Sequence, residues 1–162
     1  MKKIFLLLLL YFSFCLQSHA ASMTGRLGVG MTNQVASGMQ ALSMKLQRNR
    51  ASAIGGHFGI DSSSDGMFYA LGLKAYRYIY EEPQLNFYSS IAAGLFNYKN
   101  SSDDAEQGHQ LEGTLGTEFS FQGLESVGFS FEFGLGLSKY NNETHLKTLG
   151  YNALVSAVHF YL

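Results

Sequence analysis

The chain has 162 residues, 11 Lys and Arg against 12 Asp and Glu, a formal net charge of −1, 18 glycines, one proline, one cysteine and no tryptophan. Nothing in a near-neutral chain of this length suggests a nucleic-acid partner, and the length fits one domain. A lone cysteine excludes an internal disulfide framework.

Lys2 and Lys3, the apolar run from Ile4 to Phe14 and the small residues from Ser18 to Ser22 follow the order of a secretory signal peptide. Cleavage is expected after Ala20, so residues 1–20 are read as a removed leader and 21–162 as the folded domain. Losing Lys2 and Lys3 takes the formal charge from −1 to −3. A retained anchor is the rival, but the run is shorter than the roughly 20 residues that span a bilayer. Cys15 falls in the leader. Phe12 and Phe14 stand where a lipid-modified cysteine needs small neighbours.

Beyond the leader, large apolar residues alternate with small or polar ones at a period of two, the pattern of strands. Eight are predicted: Thr24 to Met31, Gln40 to Gln47, Ala51 to Ile60, Met67 to Tyr76, Asn86 to Phe96, Gln110 to Phe121, Gly128 to Ser138 and Leu149 to Leu162. Val35, Met39, Leu42 and Leu46 also fit a helical period. The alternation of Leu42, Met44 and Leu46 with Ser43, Lys45 and Gln47 favours a strand from Gln40. Gaps after strands one, three, five and seven are polar ("TNQVASGM", "DSSSDG", "NYKNSSDDAEQGH", "KYNNETHLKT") and read as outer loops. Those after strands two, four and six ("RNR", "RYIYEEPQL", "QGLESV") read as shorter turns.

One face of the strands collects Leu27, Leu42, Ile54, Leu73, Ile91, Leu115, Phe133 and Leu135, and the other collects Gly28, Ser43, Gly55, Gly72, Ser90, Gly116 and Gly134. The second face is too small to be an ordinary wet surface, and it fits the inside of a tight barrel. The fold expected is all-β, an eight-stranded antiparallel up-and-down transmembrane barrel whose large residues face lipid. Closure satisfies every backbone group in hydrocarbon. "GLGLSK" and "GRLGVG" lack Walker spacing and continue the strand pattern, so their glycines are read as lumen packing.

This pattern resembles the small bacterial outer-membrane β-barrels of the OmpA/OmpX type. The ending "ALVSAVHFYL" is similar to the C-terminal assembly signal of that family, although this chain ends in Leu162 and not in an aromatic residue. The resemblance implies an outer-membrane location and a structural or surface-interaction role. Its implied partners are outer-membrane lipid including lipopolysaccharide, and the barrel-assembly machinery reached through the last strand. A monomer without cofactor, metal or nucleic acid is expected. Without tryptophan, the interfacial girdles are expected from Tyr69, Tyr76, Tyr78, Tyr80, Tyr88 and Tyr98.

Alternation turns Arg26, Lys45, Lys74, Glu112, Glu118, Glu132, His57 and His159 inward. Arg26, Lys45, Lys74, Glu118 and Glu132 all fall in the half nearer the short turns, and they form the candidate site. Glu118 and Glu132 come opposite one another or one diagonal step apart, so cations must intervene. A lumenal charge network is the reading preferred, with a narrow ion path and carboxylate catalysis as rivals. An outer-leaflet lipid-modifying enzyme could draw on Ser101, Ser102, His109 and Glu112, but no His-x-Ser spacing supports a triad. Asp103, Asp104 and Glu106 lack a calcium-loop spacing.

Overall fold

Period-two alternation becomes a closed wall in the computed structural model, which describes residues 24–35, 39–63, 66–100, 105–140, 143–149 and 154–162. The expected leader lies outside them. The strands are β1 (Leu27–Thr32), β2 (Ala41–Asn49), β3 (Ser52–Ser63), β4 (Gly66–Glu82), β5 (Leu85–Asn100), β6 (Ala105–Phe121), β7 (Leu124–Tyr140), β8 (Glu143–Thr148) and β9 (Val155–Tyr161). Each pairs antiparallel with its chain neighbours through β7. There β8 takes one half of β7 and β9 the other, and β9 closes the ring on β1. Because β8 and β9 are two parts of one stave, the result is an all-β, eight-stranded antiparallel barrel.

The predicted eighth strand, Leu149 to Leu162, is thus corrected. Leu149 stands outside the ladder, residues 150–153 lie outside the described residues, and "ETHL", read as loop, belongs to a strand. Leu149 is the pivot, because its amide bonds the Gly134 carbonyl at 3.0 Å and its side chain lies over Gly136 in the lumen.

All three turns at one end have two residues: Arg50 and Ala51, Pro83 and Gln84, Gln122 and Gly123. Gln84 (φ 70°) and Gly123 (φ 84°) adopt the left-handed conformation that such tight reversals need. The gap "RYIYEEPQL" is therefore mostly strand. At the opposite end the described residues of three of the four expected outer loops are also strand: Asp61 pairs with Phe68, Asn97 with Gln107 and Lys139 with Thr144. Polar composition suggested loops there, but ladder hydrogen bonds do not depend on side-chain polarity.

Strands β4 to β7 run 16–17 residues, whereas β1 has 6 and β9 has 7. At roughly 3.3 Å per residue the tall side is about 55 Å long and β1 about 20 Å. On the low side the chain leaves β1 at Asn33, whose side chain continues the ladder: its Oδ1 accepts from the Ser156 amide at 2.7 Å and its Nδ2 donates to the Leu154 carbonyl at 3.3 Å. Gln34 and Val35 then turn into the lumen and are buried.

Side chains sort by parity. Leu73, Leu95 and Ile91 are 73%, 67% and 64% exposed on the outer wall, while Lys45 and Glu118 are 1% and 2% exposed inside. The far half of the lumen holds an apolar cluster, with Val35, Ala41 and Ala70 packed against Met39, Phe68 and Phe96, beside buried Asn97 and Gln110. The half near the two-residue turns carries the charges. Three tyrosines expected in the girdles belong there instead. Tyr76, Tyr78 and Tyr88 are buried in one inner cluster with Ala53, because Tyr76 and Tyr78 share the parity of Lys74 and Tyr88 that of Ser90. A bulge between Tyr78 and Tyr80 resets the parity and turns both Ile79 and Tyr80 outward.

Candidate functional site

Cross-strand register assembles the inner site. Lys45 and Lys74 pair from either side with Gly55 of β3, and Glu132 pairs with Gly116, two residues from Glu118 on β6. The two carboxylates are therefore one diagonal step apart, and each is met by its own lysine. Lys45 Nζ lies 2.7 Å from Glu118 Oε2, and Lys74 Nζ lies 2.5 Å from Glu132 Oε2 and 2.7 Å from its Oε1.

Neighbours fill the remaining lone pairs. Tyr161 Oη donates to Glu118 Oε1 at 2.5 Å, and Tyr78 Oη reaches Glu118 Oε2 at 3.4 Å. Glu132 accepts from Tyr88 Oη at 2.8 Å and from Thr114 Oγ1 at 2.7 Å. Lys45 Nζ also sits 4.6 Å from the Tyr76 ring centre and 4.9 Å from that of Tyr88, and Lys74 Nζ 4.9 Å from Tyr76. Gln34 extends the network: its Oε1 accepts from Lys74 at 2.6 Å, and its Nε2 donates to Glu112 Oε2 at 2.7 Å.

Glycines make room for these groups. A Cβ at Gly116 would approach Glu132 Cγ at 2.6 Å, and one at Gly128 would approach Glu118 Oε1 and Tyr161 Cε2 at 2.9 Å. At Gly72 it would run into the His57 ring. The small residues of the inner face are thus the complement of the large ones across from them.

Magnitudes decide what this lattice does. At an effective dielectric constant of about 20, opposite charges in contact attract by roughly 5 kcal/mol, and burying each ion costs several kcal/mol. The pairs therefore add little net stability, yet removing one member leaves a buried charge uncompensated. Such a lattice ties β2 to β6 and β4 to β7 across the lumen. Both oxygens of Glu118 and both of Glu132 accept hydrogen bonds from neighbouring side chains.

Of the predicted site residues, Lys45, Lys74, Glu118 and Glu132 come together. Arg26 does not join them. It precedes β1, is half-buried, and donates from Nη2 to the Tyr161 carbonyl at 2.9 Å, holding the last strand at the rim. Glu112 faces inward and His109 outward, so the residues considered for an enzyme are split across the wall. Ser101, Ser102, Asp103 and Asp104 lie outside the described residues, as does the side chain of Glu106.

The sequence reading missed Gln34, Tyr78, Tyr88, Thr114 and Tyr161. Strand parity signals the last four; nothing in the pattern signals Gln34, which is off the strands. A further buried pair, Ser43 Oγ and His159 Nε2 at 2.9 Å, has two members of a nucleophilic triad. His159 Nδ1 has no hydrogen-bond partner among the described residues, and no acid among them orients the ring. Among those residues no group of three or more His, Cys, Asp or Glu is placed to hold a metal ion.

The fold and the site together define a small closed β-barrel with an inverted polarity, apolar outside and charged within. Comparisons with protein-family models, curated proteins and solved structures give no match.

Proposed function

We propose that this chain is a small transmembrane β-barrel of a bacterial outer membrane, with a structural or surface-interaction role and a lumen that does not conduct. The observation that carries the reading is the pairing of opposites across one wall. Leu42, Leu73, Ile91, Leu95, Phe133 and Leu135 are all more than half exposed, while Lys45, Lys74, Glu118 and Glu132 are buried. Water penalises that arrangement on both faces; hydrocarbon outside and a sealed polar core inside satisfy it. The tall β4 to β7 side exceeds the 9–11 residues that cross a bilayer, so its upper strands extend beyond the hydrocarbon as an interaction surface.

The test is fractionation followed by gel migration and planar-bilayer recording. A membrane-extracted product that migrates differently before and after boiling, and forms no discrete conductance, is expected. A water-soluble product with unshifted migration overturns the membrane reading. Discrete conductance altered by Glu118→Gln or Glu132→Gln overturns the sealed lumen.

A further inference from the structure

The rim at the two-residue-turn end is electrically lopsided. Arg48 on β2, Arg50 in the following turn and Arg77 on β4 are exposed, and the register gathers them about Ser52 of β3. Asn49 pairs with Ser52 from one side and Arg77 from the other, while the Tyr78 amide bonds the Ala51 carbonyl at 2.9 Å. Glu81, Glu82 and Glu125 lie beside the other two turns. Of these, Glu82 accepts from Tyr80 Oη at 3.0 Å and Glu125 from the Gly123 amide at 2.8 Å. The three arginines have no side-chain hydrogen bond or ion pair among the described residues.

Apolar wall begins immediately above them. Leu46 and Ala75 are each two residues from Arg48 and Arg77 on the same strand faces, about 7 Å away, and Ile54 is paired with Leu46 and Ala75. Further up, Gly56 pairs with Met44 and Leu73, and its missing side chain leaves a groove of about 510 Å³ between Met44, Leu46, Ile54 and Leu73. Unpaired guanidiniums at the foot of an apolar groove match one chemistry: a phosphate diester carrying an acyl chain. Guanidinium forks bind phosphate oxygens bidentately, whereas an ammonium on a zwitterionic headgroup adds a like charge.

We propose that the outer face of β2 to β4 is a binding site for an anionic phospholipid of the leaflet next to the two-residue turns. Its phosphate sits among Arg48, Arg50 and Arg77, and an acyl chain lies along the Gly56 groove. This rests on the membrane reading above.

The experiment folds the protein in zwitterionic micelles and titrates dioleoyl phosphatidylglycerol, with retained lipid counted by native mass spectrometry. Wild type retains phosphatidylglycerol in preference to phosphatidylcholine. At about fivefold per arginine, the variant Arg48→Gln/Arg50→Gln/Arg77→Gln binds it on the order of 100-fold more weakly. Glu81→Gln/Glu82→Gln binds it no more weakly than wild type. Should the triple variant fail to fold, Arg50→Gln alone, at a turn, still shows about a fivefold loss. Equal retention by wild type and arginine variants, equal retention of the two lipids, or equal binding of glycerol phosphate without acyl chains overturns the proposal. Wild type that shows no heat-shifted migration and no vesicle insertion overturns the membrane reading itself. A folded, inserted barrel with equal lipid retention overturns only the lipid site.

Discussion

Replacing Lys74 with methionine keeps the apolar stem and removes the one ammonium that contacts both oxygens of Glu132 and the Gln34 amide. Glu132 then keeps only the Tyr88 and Thr114 hydroxyls, in a lumen that also holds Glu112 and Glu118. Both partners are almost fully buried, 2% and 3% exposed, so solvent screens little of the loss. Breaking a buried pair from one side costs about 3–5 kcal/mol. With a urea dependence of about 2 kcal/mol per molar, the unfolding midpoint falls by roughly 1.5–2.5 M. Removing both charges, in Lys74→Met/Glu132→Gln, restores at least about 2 kcal/mol relative to the sum of the single losses, because no lone charge remains. Urea unfolding in lipid vesicles, followed by far-ultraviolet circular dichroism, measures all three variants. A single variant within about 0.5 kcal/mol of wild type, or strictly additive losses, refutes the ion-pair reasoning.

Three further outcomes are expected. Gly30→Ala forces a Cβ into the Val158 carbonyl at the β1–β9 closure and destabilises by about 1–3 kcal/mol, whereas Gly113→Ala meets nothing within 4 Å and is neutral or slightly stabilising in the same unfolding assay. Leu73→Arg, in the middle of the apolar belt, costs about 2–4 kcal/mol in vesicles, and Phe121→Arg at the rim costs at most about 1 kcal/mol. Gln34→Leu strips a partner from both Lys74 and Glu112 and lowers stability by about 1–3 kcal/mol, read from the urea midpoint.

Wall and lumen were legible because a strand period of two leaves little freedom once one residue is assigned. Fixing Lys74 inward fixes Tyr76 and Tyr78 inward too, so strand parity and not residue type decides where those tyrosines lie. Tyr80 is different, since the bulge that turns it outward has no signature in the alternation. Strand ends were hidden for a related reason: Asp61, Asn97 and Thr144 are paired through backbone, which polar side chains neither reveal nor prevent. The interruption at Leu149 depends on a tertiary contact with Gly136, and Gln34 enters the site from outside any strand. Both depend on tertiary contacts between residues more than 10 positions apart along the chain. Arg26 shows the opposite case, a charge whose type fitted the cluster but whose backbone position at the rim kept it out.

The inverted polarity of the wall is tested most directly by single cysteines in a chain whose native thiol, Cys15, is replaced by serine. Cysteines at Leu73, Leu115 and Leu135 on the outer face, and at Ser90 and Ser130 on the inner face, are labelled with a fluorophore in vesicles that carry a lipid-buried quencher. Strong quenching at the three outer positions, with slow labelling and little quenching at the two inner ones, is the expected result. Outer positions that react quickly with a water-soluble maleimide in vesicles, without quenching, contradict a lipid-facing wall.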